Sequence, residues 1–318
     1  MTLVPPGIIL GAMALDLMLG DPRRIPHPVI GIGRFISWAE KVLRRAIPDE
    51  RLGGIILLAA TVGVTIGSAW LLLRLAYLLH PLAGYVITLL LSWTCLAARS
   101  LHDESKLVAK ALAAGDLSGA RQFLGRIVGR DTEQLDEPEI WRALVETVAE
   151  NTSDGVIAPL VCLMVGGPVL ALAYKAVNTL DSMVGYKNEH YLRFGWASAR
   201  CDDLANWLPA RLTGLLMVLV SPLFGLSLPD AWRIMRRDGR NHASPNSGIP
   251  EAAAAGALGI RLGGTNLYFG KPVVKPTIGD PLKPLSRDSW MGTIRLMYGA
   301  EGALALLWLC GTAVIEVL

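Results

Sequence analysis

Residues 53–73, GGIILLAATVGVTIGSAWLLL, run for 21 positions without a charged side chain. About 20 apolar residues of helix cross the hydrocarbon core of a bilayer, where every backbone polar group must be bonded internally. This stretch therefore predicts a membrane helix. The next apolar run, 81–98, follows after only a short connection around His80, which predicts an antiparallel hairpin. Runs at 3–20, 155–180, 208–228 and 297–318 have the same character, giving roughly six hydrophobic helices. Composition agrees. The 318 residues are 52% hydrophobic and 18% charged, with a mean hydropathy of +0.43, whereas a soluble chain has about a quarter of its residues charged.

The expected fold is an all-α, polytopic membrane bundle, a single membrane-embedded domain over 1–318. A net charge of +3, with no basic run interleaved with aromatics, argues against nucleic acid as a partner. Cys95, Cys162, Cys201 and Cys310 are far apart and read as buried reduced thiols. The first run lacks a preceding Lys or Arg and is followed by Asp21, Pro22, Arg23 and Arg24. That pattern suits a first membrane helix better than a signal peptide. Asp16 lies inside this run and must face protein, because a carboxylate in lipid is costly. Lys and Arg concentrate in 21–52, 99–150 and 229–296. The positive-inside rule places these segments in the cytoplasm, with the helical-period stretch at 99–154 among them.

Four polar clusters could carry chemistry. In the first, a helix starting near Asp136–Pro138 puts Glu146 and Glu150, and with them Asp154, on one face beside Asn151. Stacked like charges repel unless a cation offsets them, which is how an oxygen-ligand Mg²⁺ site is built; the alternative is a solvated acidic face. The second is Asn178, Asp181 and Ser182, followed by Lys187. The third holds Arg200, Asp202, Asp203, Asn206 and Arg211, with Asp202 and Asn206 spaced for one helix face. The fourth runs from Asp238 through Arg240, His242, Ser244, Asn246 and Ser247 to Glu251. There, small residues and a proline lead into a helix N-terminus able to receive phosphate. No GxxxxGK[ST], HExxH or GxSxG motif is present.

Four segments together, DLMLGDPRRIPHPVIGIGR (16–34), LVETVAENTSDGVIAPL (144–160), AVNTLDSMVGYKNEHYLRFGWASARCDDLANWLPARLT (176–213) and DGRNHASPNSGIPEAAAAGALGIRLGGTNLYFG (238–270), resemble one family over essentially the whole chain. It is the cobalamin-biosynthesis family CobD/CbiB, adenosylcobinamide-phosphate synthase. The resemblance implies a multi-pass bacterial inner-membrane ligase with its site facing the cytoplasm. It would join the free propionate of adenosylcobyric acid to aminopropanol or its O-phosphate, using ATP, and could associate with other enzymes of the pathway. The residues suit those tasks: Glu146, Glu150, Asp154, Asp181, Asp202 and Asp203 as candidates for Mg²⁺, and Asn151, Asn178 and Asn206 to orient substrate. Lys187, Arg200, Arg211 and Arg240 would clamp phosphate or carboxylate. The Ser244–Ser247 turn would cradle an anion, flanked by His242, Asn246 and Glu251.

Competing readings are an Mg-dependent prenyl- or phospho-alcohol transferase, and a non-catalytic scaffold or transporter. One topological expectation follows from counting sides. If 155–180 crosses once, Asn178–Asn206 lies away from Glu146–Asp154. Gly166-Gly167-Pro168 divides that run into halves too short to span, which predicts a re-entrant helical hairpin there. Ser221-Pro222 suggests a similar interruption in 208–228.

Overall fold

A computed structural model describes residues 5–21, 27–268 and 270–317; Pro22, Arg23 and Arg24 lie outside it. In chain order the elements are α1 (Pro6–Leu19), α2 (Pro28–Ala46), α3 (Glu50–Leu79), α4 (Pro81–Trp93), α5 (Ala98–Ala113), α6 (Leu117–Leu124) and α7 (Glu137–Asn151). A π turn (Thr152–Ile157) leads into α8 (Ala158–Val184), α9 (Trp196–Ala205) and α10 (Trp207–Val220). After a 3₁₀ turn (Ser221–Phe224) come α11 (Leu228–Asp238), α12 (Gly248–Leu258), β1 (Leu262–Tyr268), β2 (Lys271–Ile278) and α13 (Arg287–Val317).

Among the described residues, five segments are long and apolar enough to cross a membrane: Glu50–Leu79, Pro81–Ala113, Glu137–Val184, Trp207–Phe224 and Arg287–Val314. The protein is thus a polytopic helical membrane protein, with five such segments among the described residues where the sequence suggested roughly six. The first apolar run yields only the 14 residues of α1, stopped by Gly20 at φ 63°, and about 17 residues are needed to span. The antiparallel β1–β2 hairpin, bulged at Gly263/Gly264, is an addition to the helical fold.

Local chemistry explains the helix starts. Asp49 accepts from the amides of Arg51 and Leu52 to open α3. His80 Nδ1 accepts from Leu82 N to open α4, just after α3 ends. Asp136 and Glu139 form a reciprocal capping box at α7, with Pro138 in the first turn. Within α8 the backbone leaves helical geometry at Gly167 (φ 66°, ψ −165°), immediately before Pro168. Only glycine takes that φ at no steric cost, and proline cannot supply the amide that would continue the ladder. The 208–228 run is likewise interrupted where α10 gives way to the 3₁₀ turn at Ser221.

The chain forms two compact units, each discontinuous in sequence. The first holds α1–α4, α8 and α9. Its core joins Ile32, Ile36 and Ala39 of the amphipathic α2 to Leu57, Ala176, Leu180, Val184 and Phe194. Arg44 braces this core, bonding Glu40 and the His190 carbonyl (both 2.9 Å) while stacking 4.1 Å over the Phe194 ring. A Cβ on Gly54 would sit 1.8 Å from the Phe194 carbonyl oxygen, whereas one on Gly63 would meet nothing within 4 Å. Gly54→Ala is therefore expected to cost about 1–3 kcal/mol by overpacking. It should show as a lowered melting temperature in detergent, with Gly63→Ala unchanged; equal melting of the two would refute the close approach.

The second unit holds α5–α7, α10–α13 and the hairpin. Its core gathers Ile140, Leu144 and Val148 of α7 with Val108, Leu112, Ala252, Ala255, Leu262, Ile278, Trp290, Ile294 and Met297. α12, the alanine-rich helix, is buried at almost every position, as a helix apolar on all sides must be.

Candidate active site

The four sequence clusters collect into two groups, one within each unit: the first and fourth clusters, with Arg211, in one, and the second and third in the other.

In the α7 unit, the helix repeat places Glu146 and Glu150 one turn apart. Glu146 is buried and fully engaged: Arg130 Nη2 donates to Oε2 at 2.5 Å and the Gly263 amide to Oε1 at 2.8 Å. Arg130 Nη1 also donates to Asn266 Oδ1 (2.8 Å), which accepts from Arg142 Nη2 (3.1 Å) as well. Arg142 Nη1 donates in turn to the Gly263 carbonyl. Burial works against the Arg130 charge, but the Glu146 carboxylate more than offsets it and the guanidinium pKa rises. With both oxygens occupied, Glu146 pins the β-hairpin to α7.

Glu150 is presented differently. Its Oε1 accepts from the Ser247 hydroxyl at 2.7 Å. Glu251, in the first turn of α12, is buried beside these two acids. Burial, then the charges of Glu146 and Glu150, push its carboxyl well above the usual range, against Lys275 and Arg130. His242 Nε2 lies 4.0 Å from Glu251 Oε1 and 3.4 Å from Lys275 Nζ. Burial and then Lys275 lower the His242 pKa, opposed by Glu150 and Glu146, so the ring is neutral. Its Nδ1 accepts from Ser244 N at 3.0 Å, which leaves the proton on Nε2.

The Ser244–Ser247 turn is not an open cradle. Ser244 Oγ accepts from the amides of Asn246 (3.2 Å) and Ser247 (3.4 Å), so hydroxyl and imidazole satisfy the donors a phosphate would need. Arg211 Nη1 reaches this turn at Asn246 Oδ1 (3.2 Å). Asn151 spends its amide on the Thr147 carbonyl (2.9 Å). Asp154 sits half-buried in the π turn, outside the 3.6-residue winding that placed it beside Glu150; π turns recur at functional sites.

In the α8–α9 unit, side chains form a hydrogen-bonded chain. Tyr174 OH donates to Asn206 Oδ1 (2.6 Å), Asn206 Nδ2 to Asp202 Oδ2 (3.0 Å), and Asn178 Nδ2 to Asp202 Oδ1 (3.3 Å). Asp202 and Asn206 share a face as their spacing requires, and both are buried. Asp181 follows Asn178 on α8 and is half-buried. Burial raises the Asp203 carboxyl, while the charges of Arg200 and Lys187 pull it down.

Among the described residues, no three His, Cys, Asp or Glu side chains are grouped to hold a metal ion. Sequence reasoning missed Arg130, Asn266, Lys275 and Tyr174. Asn266 lies in the quoted GGTNLYFG segment; the others stand in no cluster, and nothing in the local pattern singles them out.

The family profile described as CobD/Cbib protein matches residues 9–297. A Geobacter metallireducens protein named cobalamin biosynthesis protein CobD is 68% identical over 310 residues, covering 98% of each chain. Another of that name, from Pelobacter propionicus, is 58% identical over 98% of this chain and 96% of its own. Cobalamin biosynthesis protein CbiB of Salmonella typhimurium is 51% identical over 93% and 94%. No solved structure matches. With a matching profile over most of its length and relatives this similar end to end, the chain belongs to the CobD/CbiB family.

Proposed function

We propose that this protein acts in cobalamin biosynthesis as an ATP-dependent amide ligase of the bacterial inner membrane, its site facing the cytoplasm. It joins the free propionate of adenosylcobyric acid to aminopropanol or aminopropanol O-phosphate. The observation that carries the chemistry is the Glu150–Ser247–Glu251–His242 group: one carboxylate held by a hydroxyl, next to a carboxyl that burial pushes well above its usual range and an imidazole that burial pushes below its own.

A carboxylate and an ammonium do not condense unaided. The propionate oxygen attacks the γ-phosphorus of ATP, releasing ADP and giving an acyl phosphate. The amine then attacks the acyl carbon and phosphate leaves. Glu150 accepts the proton the ammonium must lose. The protonated Glu251 and His242 Nε2–H donate hydrogen bonds to oxygen as it gains charge. Mg²⁺ would arrive with the nucleotide phosphates and need only one or two protein carboxylates, for which Glu150 and Asp154 are the candidates in this unit.

The test is purified protein in detergent supplied with adenosylcobyric acid, ATP, Mg²⁺ and either amine, with products read by mass. ATP-dependent amide formation is expected. Protonating His242 breaks its bond from Ser244 N, so the rate should fall only below the ordinary histidine range. Absence of any amide product, or product formed from a prenyl diphosphate instead, would overturn the ligase reading.

A further inference from the structure

α11, the start of α10 and the loop after Asp238 enclose an open cavity of about 610 Å³. It is lined by Arg211, Met235, Arg236, Arg237, Arg240 and Ile249. Ligand pockets of drug-sized molecules run from about 300 to 1,000 Å³, so a nucleotide-sized molecule fits. The basic residues here divide cleanly by partner. Arg237 forks onto Asp238 (2.8 and 2.7 Å) and reaches Asp280 (2.8 Å), and Asp238 in turn accepts from the Gly279 amide. Arg233 is bound to Asp230 and Asp280 (both 2.9 Å). These two arginines hold α11 against the end of β2.

Arg211, Arg236 and Arg240 have no carboxylate partner among the described residues. Arg240 is near enough to repel Arg211. Two of the three are pre-positioned by aromatic rings: Arg211 stacks 4.4 Å over Trp207 and Arg236 5.7 Å over Trp232. A stacked guanidinium presents the edge of its planar fork to oxyanions, although Arg211 Nη1 already donates to the Trp207 carbonyl (2.7 Å) and to Asn246 Oδ1 (3.2 Å). Three guanidiniums without a carboxylate partner gather around one cavity, and an anion bound there would offset their mutual repulsion.

From this geometry we infer that the Arg211–Arg236–Arg240 cavity is a polyphosphate subsite. Charge selects the ligand. A phosphate monoester carries about −1.5 to −2 and a lipid phosphodiester a single negative charge, each short of the three guanidiniums that lack a carboxylate, whereas a polyphosphate chain matches them. The Ser244–Ser247 amides are already spent, so the anion is held by side chains. The inference rests on the ligase reading only for naming the polyphosphate as that of ATP.

The experiment measures binding of inorganic triphosphate, orthophosphate and a short-chain phosphatidylglycerol to the purified full-length protein in neutral detergent at low salt, with no corrinoid present. Triphosphate should bind at least about tenfold more tightly than orthophosphate and resist displacement by the lipid. Arg236→Gln and Arg240→Gln should each weaken it at least about tenfold at unchanged melting temperature, while Arg237→Gln should chiefly lower the melting temperature. Unchanged triphosphate affinity in both Arg236→Gln and Arg240→Gln overturns the inference, as does equal affinity for orthophosphate or ready displacement by the lipid. Because the readout is binding, triphosphate capture without amide product would count against the ligase reading alone. Amide formation with unaltered triphosphate binding in the variants would count against the cavity alone.

Discussion

Glu150→Gln is expected to lower the rate of amide formation by about 10²–10⁴-fold, the usual contribution of a positioned general base, with little change in melting temperature. Glutamine keeps the volume and an oxygen to accept the Ser247 hydroxyl now held at 2.7 Å, so the turn before α12 should persist. What disappears is the capacity to take a proton and the negative charge beside Glu251. Turnover under saturating substrates, together with thermal unfolding of the same preparation, separates chemistry from folding. Wild-type turnover would remove Glu150 from the mechanism. Restoration of rate by high Mg²⁺ would assign it to holding metal rather than moving a proton.

Glu146, one turn earlier, should behave in the opposite way. Glu146→Ala leaves the buried Arg130 guanidinium without its carboxylate and the Gly263 amide without an acceptor. Breaking a buried ion pair from one side costs about 3–5 kcal/mol, while replacing both members with apolar groups is often nearly neutral. Glu146→Ala should therefore cut the yield of folded protein and lower its melting temperature. The pair Glu146→Leu with Arg130→Met should recover much of that loss, with the coupling read from a double-mutant cycle. If Glu146→Ala instead melts normally and is only inactive, the clamp assignment fails and the residue belongs with Glu150.

The contrast between these neighbours shows where sequence reasoning stops. Spacing of four along α7 correctly sets Glu146 and Glu150 one turn apart, and it makes them look equivalent. Their difference comes from residues remote in sequence: Arg130 and the hairpin Gly263 close over one, Ser247 over the other. The amides of the 244–247 turn were expected to face an anion. Their capture by Ser244 Oγ and His242 Nδ1 is a matter of side-chain rotamer, which no pattern of residue types specifies. Likewise, the arginines of 233–240 form one basic run in sequence. Only their geometry against Asp230, Asp238 and Asp280 sorts the paired from the free.

What the chain determines by itself is what local physics controls. Uninterrupted apolar runs make membrane-length helices, because nothing else satisfies the backbone in lipid. Asp136-Glu-Pro-Glu139 starts α7, and Gly167-Pro168 breaks α8, since glycine tolerates the positive φ and proline withholds its amide. The spacing of Asp202 and Asn206 places them on one face, and the family signature is legible in the quoted segments. The tertiary structure alone decided that a β-hairpin covers Glu146 and that Glu251 is buried beside two acids, which pushes its carboxyl well above the usual range. Those outcomes depend on which surfaces meet across long stretches of chain. Desolvation and charge pairing are properties of the meeting, and the residue sequence on either side does not contain them.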